Sequence, residues 1–115
     1  MEHSMKLLDI PFDGISSGKK KIEIRLYDEK RQKLNLGDVI EFTRLSNLES
    51  KLKVRVVALL RYNSFRDMVE DLGMSQFGYS DRYPVDDFLE SIYKIYSKEN
   101  EEKYGALGIK VELIK

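Results

Sequence analysis

The chain has 115 residues, with 20 basic and 20 acidic side chains, one histidine and a formal net charge of zero. Hydrophobic residues make up 42% and charged residues 35%, the balance of a chain with one core and a very polar exterior. No cysteine is present, which excludes disulfides, thiolate catalysis and cysteine-ligated metals, and no apolar run approaches the ~18 residues of a membrane-spanning helix.

The N-terminus lacks the basic-then-apolar order of a signal peptide, so a cytoplasmic location is expected. A single domain over residues 1–115 is expected from the length. Zero net charge argues against indiscriminate nucleic-acid binding, yet the charge is unevenly placed. Residues 1–61 carry 13 basic and 9 acidic side chains, and residues 62–115 carry 7 and 11. A basic first half can build a local positive patch on a neutral protein, or it can be a solvated surface.

In chain order, residues 5–8 (MKLL) suit a short first strand. Pro11 then opens a short helix, PFDGISS, with Phe12 and Ile15 on its inner face, and Gly18 ends it. Residues 20–27 form a strand in which Ile22, Ile24 and Leu26 alternate with Lys21, Glu23 and Arg25. Asp28 to Lys33 reads as a turn, and Asn35 and Gly37 supply further turn chemistry. Val39 to Arg44 is a strand, residues 45–50 a loop, and residues 51–60 a long strand. In that long strand Leu52, Val54, Val56, Ala58 and Leu60 face one way.

Ser64 caps a helix, with Asp67 in a capping-box-like position. Phe65, Met68, Val69 and Leu72 form its apolar stripe, and Gly73 ends it. Residues 74–83 are irregular. Pro84 starts the longest helix, whose apolar face runs through Tyr96. Ser97 caps a last short helix ending near Gly105, and residues 106–114 are a final strand. Strands, then helices, then a closing strand predict an α+β fold. Its core is a small, mostly antiparallel β-barrel with helices packed alongside, closed by the returning C-terminal strand.

Few constellations carry chemistry. His3 is expected on a frayed terminus, so a histidine triad or metal site has no support. GISSGKK falls one residue short of a phosphate-loop spacing. No carboxylate pair stands out, and no cofactor or metal is expected. Tyr79 and Tyr83, with Phe77, either stack on bases or cover a barrel end. Tyr93 and Tyr96 read as packing, and Glu99, Glu101 and Glu102 as a solvated helix face.

The stretch GKKKIEIR is different. Glu23 and Arg25 are two apart on a strand and share a face, so the carboxylate can fix the guanidinium as a rigid fork for phosphate or a base edge. Lys20 has the opposite parity and joins them only if a turn or bulge re-aims it. The competing reading is the wet side of a sheet.

Residues 18–25 fit the pattern G-x-K-x-x-E-x-R, which resembles the signature of ASCH domains, a branch of the PUA-like superfamily. LGDVI at 36–40 and the run YS-x-E-x-E-x-KYG-x-x-GI at 96–109 are similar to the same family. The resemblance implies a PUA-like barrel with helices alongside and a ligand cleft lined by Gly18, Lys20, Glu23 and Arg25. It implies RNA or nucleotide binding, with a role in RNA metabolism or translation-linked regulation. A related bacterial group hydrolyses N4-acetylcytidine with the motif lysine, a threonine and a distal glutamate. Lys20 matches that lysine, but Glu23 stands where the threonine would be, and Glu70 and Asp71 are only in the region of the distal glutamate. Two readings therefore stand: a binding module using Lys20, Glu23 and Arg25, and an amidohydrolase with Lys20 and Glu23 as catalytic groups. An interaction domain that leaves the motif exposed is a third.

Overall fold

The computed structural model describes residues 1–114. Five strands form one sheet: β1 (Glu2–Leu7), β2 (Ile22–Leu26), β3 (Val39–Arg44), β4 (Asn47–Tyr62) and β5 (Ala106–Leu113). Their order across the sheet is β1-β3-β4-β5-β2. β1 runs parallel to β3, and the other three pairings are antiparallel. Helices α1 (Asp9–Ser17), α2 (Phe65–Leu72), α3 (Val85–Tyr93) and α4 (Lys98–Tyr104) lie alongside. The sheet curls into a half-barrel whose two edges are β1 and β2. The expected α+β class holds, and the C-terminal strand takes an inner place, bonded to β4 on one side and β2 on the other.

Two apolar cores lie on opposite faces of this sheet. The first is inside the curl, where Phe12 and Ile15 of α1 meet Met5, Leu7, Ile40, Phe42, Val54, Val56, Leu107 and Ile109. The second lies outside it, where Ile22, Ile24 and Leu26 of β2 meet Phe65, Met68 and Val69 of α2 and Phe88, Leu89 and Ile92 of α3. Each such buried side chain contributes roughly 1.5–3 kcal/mol. β4 serves both cores because its register slips between Val56 and Ala58. A bulge inverts which residues face which side. Leu52, Val54 and Val56 therefore face the first core with Leu59, while Leu60 and Tyr62 face the second. The uniform face expected over residues 52–60 is broken there.

Local chemistry sets most element ends as expected. Gly18 ends α1 at φ 81°, a left-handed conformation that glycine adopts without strain. The Ser64 hydroxyl accepts from the Asp67 N–H at 3.0 Å, and the Ser97 hydroxyl from the Asn100 N–H at 3.1 Å. Some boundaries differ. α1 begins two residues before Pro11. The 45–50 segment is a loop only at Leu45 and Ser46: pairing of Arg44 with Asn47 draws the polar residues after it into β4. α3 ends at Tyr93, and Ile95 is exposed. β1 begins at Glu2, because parallel pairing with Val39 and Ile40 orders the terminus. His3 is accordingly not frayed, and its Nε2 lies 2.8 Å from Oδ2 of the buried Asp38.

Glu101 also departs from its expected place on a solvated face: it is 8% exposed. Its carboxylate accepts the Phe65 N–H at 2.7 Å and the Tyr93 hydroxyl at 2.8 and 2.9 Å. One acid on α4 thereby satisfies an orphan donor in the first turn of α2 and holds the end of α3. Burial and the Glu101 bond push the Tyr93 phenol up to about 12. Glu101→Ala leaves both donors without their charged acceptor and is expected to destabilise the fold by about 2–3 kcal/mol in denaturant titration. Glu102→Ala on the exposed side is expected to change stability by less than about 0.5 kcal/mol.

Candidate functional site

β2 is covered on both faces. Its isoleucines and Leu26 face the helices, while Glu23 pairs with Ile109 and Arg25 with Leu107. Directly opposed residues share a face, so Glu23 and Arg25 stand on the side of the first core, inside the curl. Lys21 is exposed, but Glu23 is 5% exposed, and the wet-face reading fails for it and for Arg25. An alternation of apolar and charged residues here marks two different buried environments.

Lys20 lies outside β2. It forms an isolated bridge with Phe77, and its N–H donates to the Gly14 carbonyl at 2.9 Å. Its side chain passes between two glycines: a Cβ on Gly14 or on Gly78 would come within 3.0 or 3.2 Å of the Lys20 Cβ. This bridge, set before the strand begins, turns Lys20 onto the Glu23 side despite its parity. Gly18 serves by its backbone conformation as the cap of α1.

The three charged side chains form one cluster. Lys20 Nζ lies 3.0 Å from Glu23 Oε1, while Arg25 Nε and Nη2 lie 3.0 and 2.9 Å from Oε2. All three side chains are nearly buried, at 10%, 6% and 11% exposure for Lys20, Glu23 and Arg25. Arg25 Nη2 also donates to the Lys6 carbonyl at 3.0 Å, tying edge strand β2 to edge strand β1. Burial alone would raise the Glu23 carboxyl, but the Lys20 and Arg25 charges outweigh it and hold it below the usual 4.5. Burial likewise disfavours the Arg25 charge, and Glu23 more than compensates.

With both Glu23 oxygens engaged, the cluster carries a net charge of +1 and its remaining capacity is donor capacity. Arg25 Nη1 has no partner among the described residues, and it is not buried. The Tyr96 hydroxyl is similarly free. Tyr96 is stacked on Phe65 at 5.6 Å, and its phenol is raised by burial, against the Arg25 charge, so it stays a donor at neutral pH. Reading Tyr96 as packing covered its ring but not its hydroxyl. Its apolar spacing beyond the end of α3 carried no signal for the latter.

Other charged and aromatic side chains are engaged elsewhere. Arg31 bonds Asp28 through its backbone N–H at 3.1 Å and Nη1 at 3.2 Å, while its Nε is buried without a partner. Glu70 faces Arg66 at 3.8 Å, and Asp71 accepts from the Tyr62 hydroxyl at 2.5 Å. Neither belongs to the Lys20 cluster. Tyr79 packs edge-on against Phe88 at 5.1 Å, lies 4.7 Å from Tyr83 and joins the second core, so it covers the helix-side core outside the curl and not a barrel end. No three His, Asp or Glu side chains converge as a metal site among the described residues. Among the described residues no helix is long and apolar enough to cross a membrane.

The depressed Glu23 carboxyl makes stability depend on acid. The unfolded chain binds this proton at a higher pH than the folded one, so stability rises with pH through that window. The contribution is complete above about 4.5 and is lost as pH falls through the lower folded value. Asp38, held near 2 by His3, the Asn35 N–H and the N-terminal amine, adds a loss below 3.8. Thermal melts from pH 6 to 2 are expected to show a falling Tm below about pH 4.5. Glu23→Gln is expected to start lower at pH 6 and to fall less with acid. An equally steep fall in that variant would show that Glu23 is not held ionised by its neighbours.

The model of the ASCH domain matches residues 5–115. The crystal structure of hypothetical protein PH0355 is similar at 36% identity and a TM-score of 0.86, covering 99% of this chain and 100% of its own. The solution structure of protein PF0455 from Pyrococcus furiosus is similar at 37% identity and a TM-score of 0.78, covering 100% and 99%. No curated protein matches the chain. With a family match over residues 5–115 and near full-length structural relatives, the chain belongs to the ASCH domain family.

Proposed function

We propose that the protein binds RNA or a nucleotide at the Lys20–Glu23–Arg25 cluster. The observation that carries this reading is the saturation of Glu23: both oxygens are taken by Lys20 and Arg25, and the free N–H groups of the two cations are left to meet a ligand. A net-positive, donor-only site suits phosphate oxygens and base carbonyls. Arg25, clamped between Glu23 and the Lys6 carbonyl, presents Nη1 with little entropy left to lose. Membership of the ASCH family supports the nucleic-acid part of the reading.

The amidohydrolase reading fares worse. A general base needs a free lone pair and a pKa near the working pH. Glu23 has its oxygens engaged and is held below the usual carboxylate range, and no hydroxyl stands at its position to act as nucleophile. No carboxylate from Glu70 or Asp71 joins the cluster to replace it.

The test is a salt-titrated binding assay with single-stranded RNA, duplex RNA and a nucleoside panel including N4-acetylcytidine, with product followed by mass spectrometry. Binding is expected to weaken with salt. Arg25→Ala is expected to lower affinity by at least about tenfold. Arg25→Lys, which keeps the charge but loses the fork, is expected to fall between the two. Circular dichroism of each variant separates loss of binding from loss of folding. Binding indifferent to Arg25 would remove the site assignment, and turnover of a nucleoside abolished in Glu23→Gln would replace binding with catalysis.

A further inference from the structure

A groove opens where the end of β4 meets the start of β5. Arg61, Asn63 and Tyr104 line it above a floor at Gly105 and Ala106. Gly105, at φ 77°, keeps that floor bare, since a Cβ there would lie 3.0 Å from the Tyr62 carbonyl.

Strand register fixes how the groove stands relative to Arg25. Arg25 and Arg61 are both paired with Leu107, one from each neighbouring strand. Both therefore stand on the face of Leu107, two strand spacings or about 10 Å apart. Tyr27 joins them: its N–H donates to the Gly105 carbonyl at 3.1 Å, and the Arg61 guanidinium lies over its ring at 3.9 Å. The stacking fixes an otherwise exposed side chain and leaves the donor edge of its guanidinium open. Among the described residues no carboxylate pairs with Arg61, unlike Arg25, Arg31, Arg44 and Arg66. Two ordered arginines on one face, about 10 Å apart at the backbone, suit two phosphates of a chain better than the one of a mononucleotide.

We propose that the ligand is a single-stranded RNA segment of several nucleotides, with one nucleotide held at Arg25 and the phosphate of a following one held by Arg61 on Tyr27 at the entrance of the groove. This rests on the RNA-binding reading above and narrows it from nucleotide to polymer. The half-buried Tyr104 supplies an aromatic wall for a base, and the Asn63 amide a donor and acceptor for its edge. Asp67 and Glu102 also line the groove and suit base amino groups, while Lys103, its ammonium over the Tyr104 ring at 5.1 Å, adds a second cation beside Arg61.

Calorimetric titration of the full chain with UMP and with oligouridylates of two, four and eight nucleotides tests this. Affinity is expected to rise at least tenfold from UMP to the tetranucleotide, with a salt slope steeper by about one ion. Arg61→Gln is expected to abolish that gain, to leave UMP affinity within twofold, and to melt as the wild type does, because the side chain is exposed. A tetranucleotide that binds no more tightly than UMP, or a gain that survives Arg61→Gln, would overturn the inference while leaving Arg25-dependent UMP binding intact. If no length binds, the RNA-binding reading itself falls, and this inference with it.

Discussion

The buried ion cluster of Lys20, Glu23 and Arg25 is the constraint around which the half-barrel is arranged. A carboxylate at 5% exposure is costly unless compensated, and here two cations compensate it. Each cation is in turn held by backbone. Lys20 is fixed by its N–H on Gly14 and its bridge to Phe77, and Arg25 by the carbonyl of Lys6. The cluster therefore couples α1, the 77–78 turn, β2 and β1. The sheet has β1 and β2 as its two open edges, and the Arg25–Lys6 bond spans the gap between them.

The same arrangement sets the ionisation of the cluster. Had Glu23 stood alone, burial would have raised its carboxyl toward the range of a general base. Two neighbouring cations reverse that sign and turn the residue into an organiser of donors. A buried pair of this kind adds little to stability beyond what an apolar pair would give, whereas losing one partner is expensive. What the cluster does provide is a fixed orientation for Arg25, held by Glu23 and the Lys6 carbonyl.

Much of the frame was legible from residue pattern. The apolar stripe of α2, the serine caps of α2 and α4 and the glycine end of α1 depend on neighbours a few residues away, and they stand where spacing placed them. Pattern failed where a distant partner decided the outcome. The terminus around His3 is ordered by pairing with β3 and by Asp38 just before it, thirty-five residues further on. Glu101 sits on a short, charge-rich helix and is buried because Phe65 and Tyr93 need its carboxylate. The bulge after Val56 inverts a strand face through pairing with β5, which no local spacing in β4 reveals.

The G-x-K-x-x-E-x-R stretch divides along the same line. The sequence by itself determined that Glu23 and Arg25 share a face, because strand side chains alternate with period two, and that charge and apolar residues occupy opposite sides of β2. It could not determine that both sides are covered, since that requires helices from the second half on one face and the curl of the sheet on the other. Nor could it bring Lys20 to Glu23, or Arg61 to the face of Arg25. The first depends on a bridge to Phe77 and the second on shared pairing with Leu107. Period and capping are properties of neighbouring residues and survive in one dimension, whereas burial, register and the meeting of charges from separate strands arise only when the chain folds back on itself.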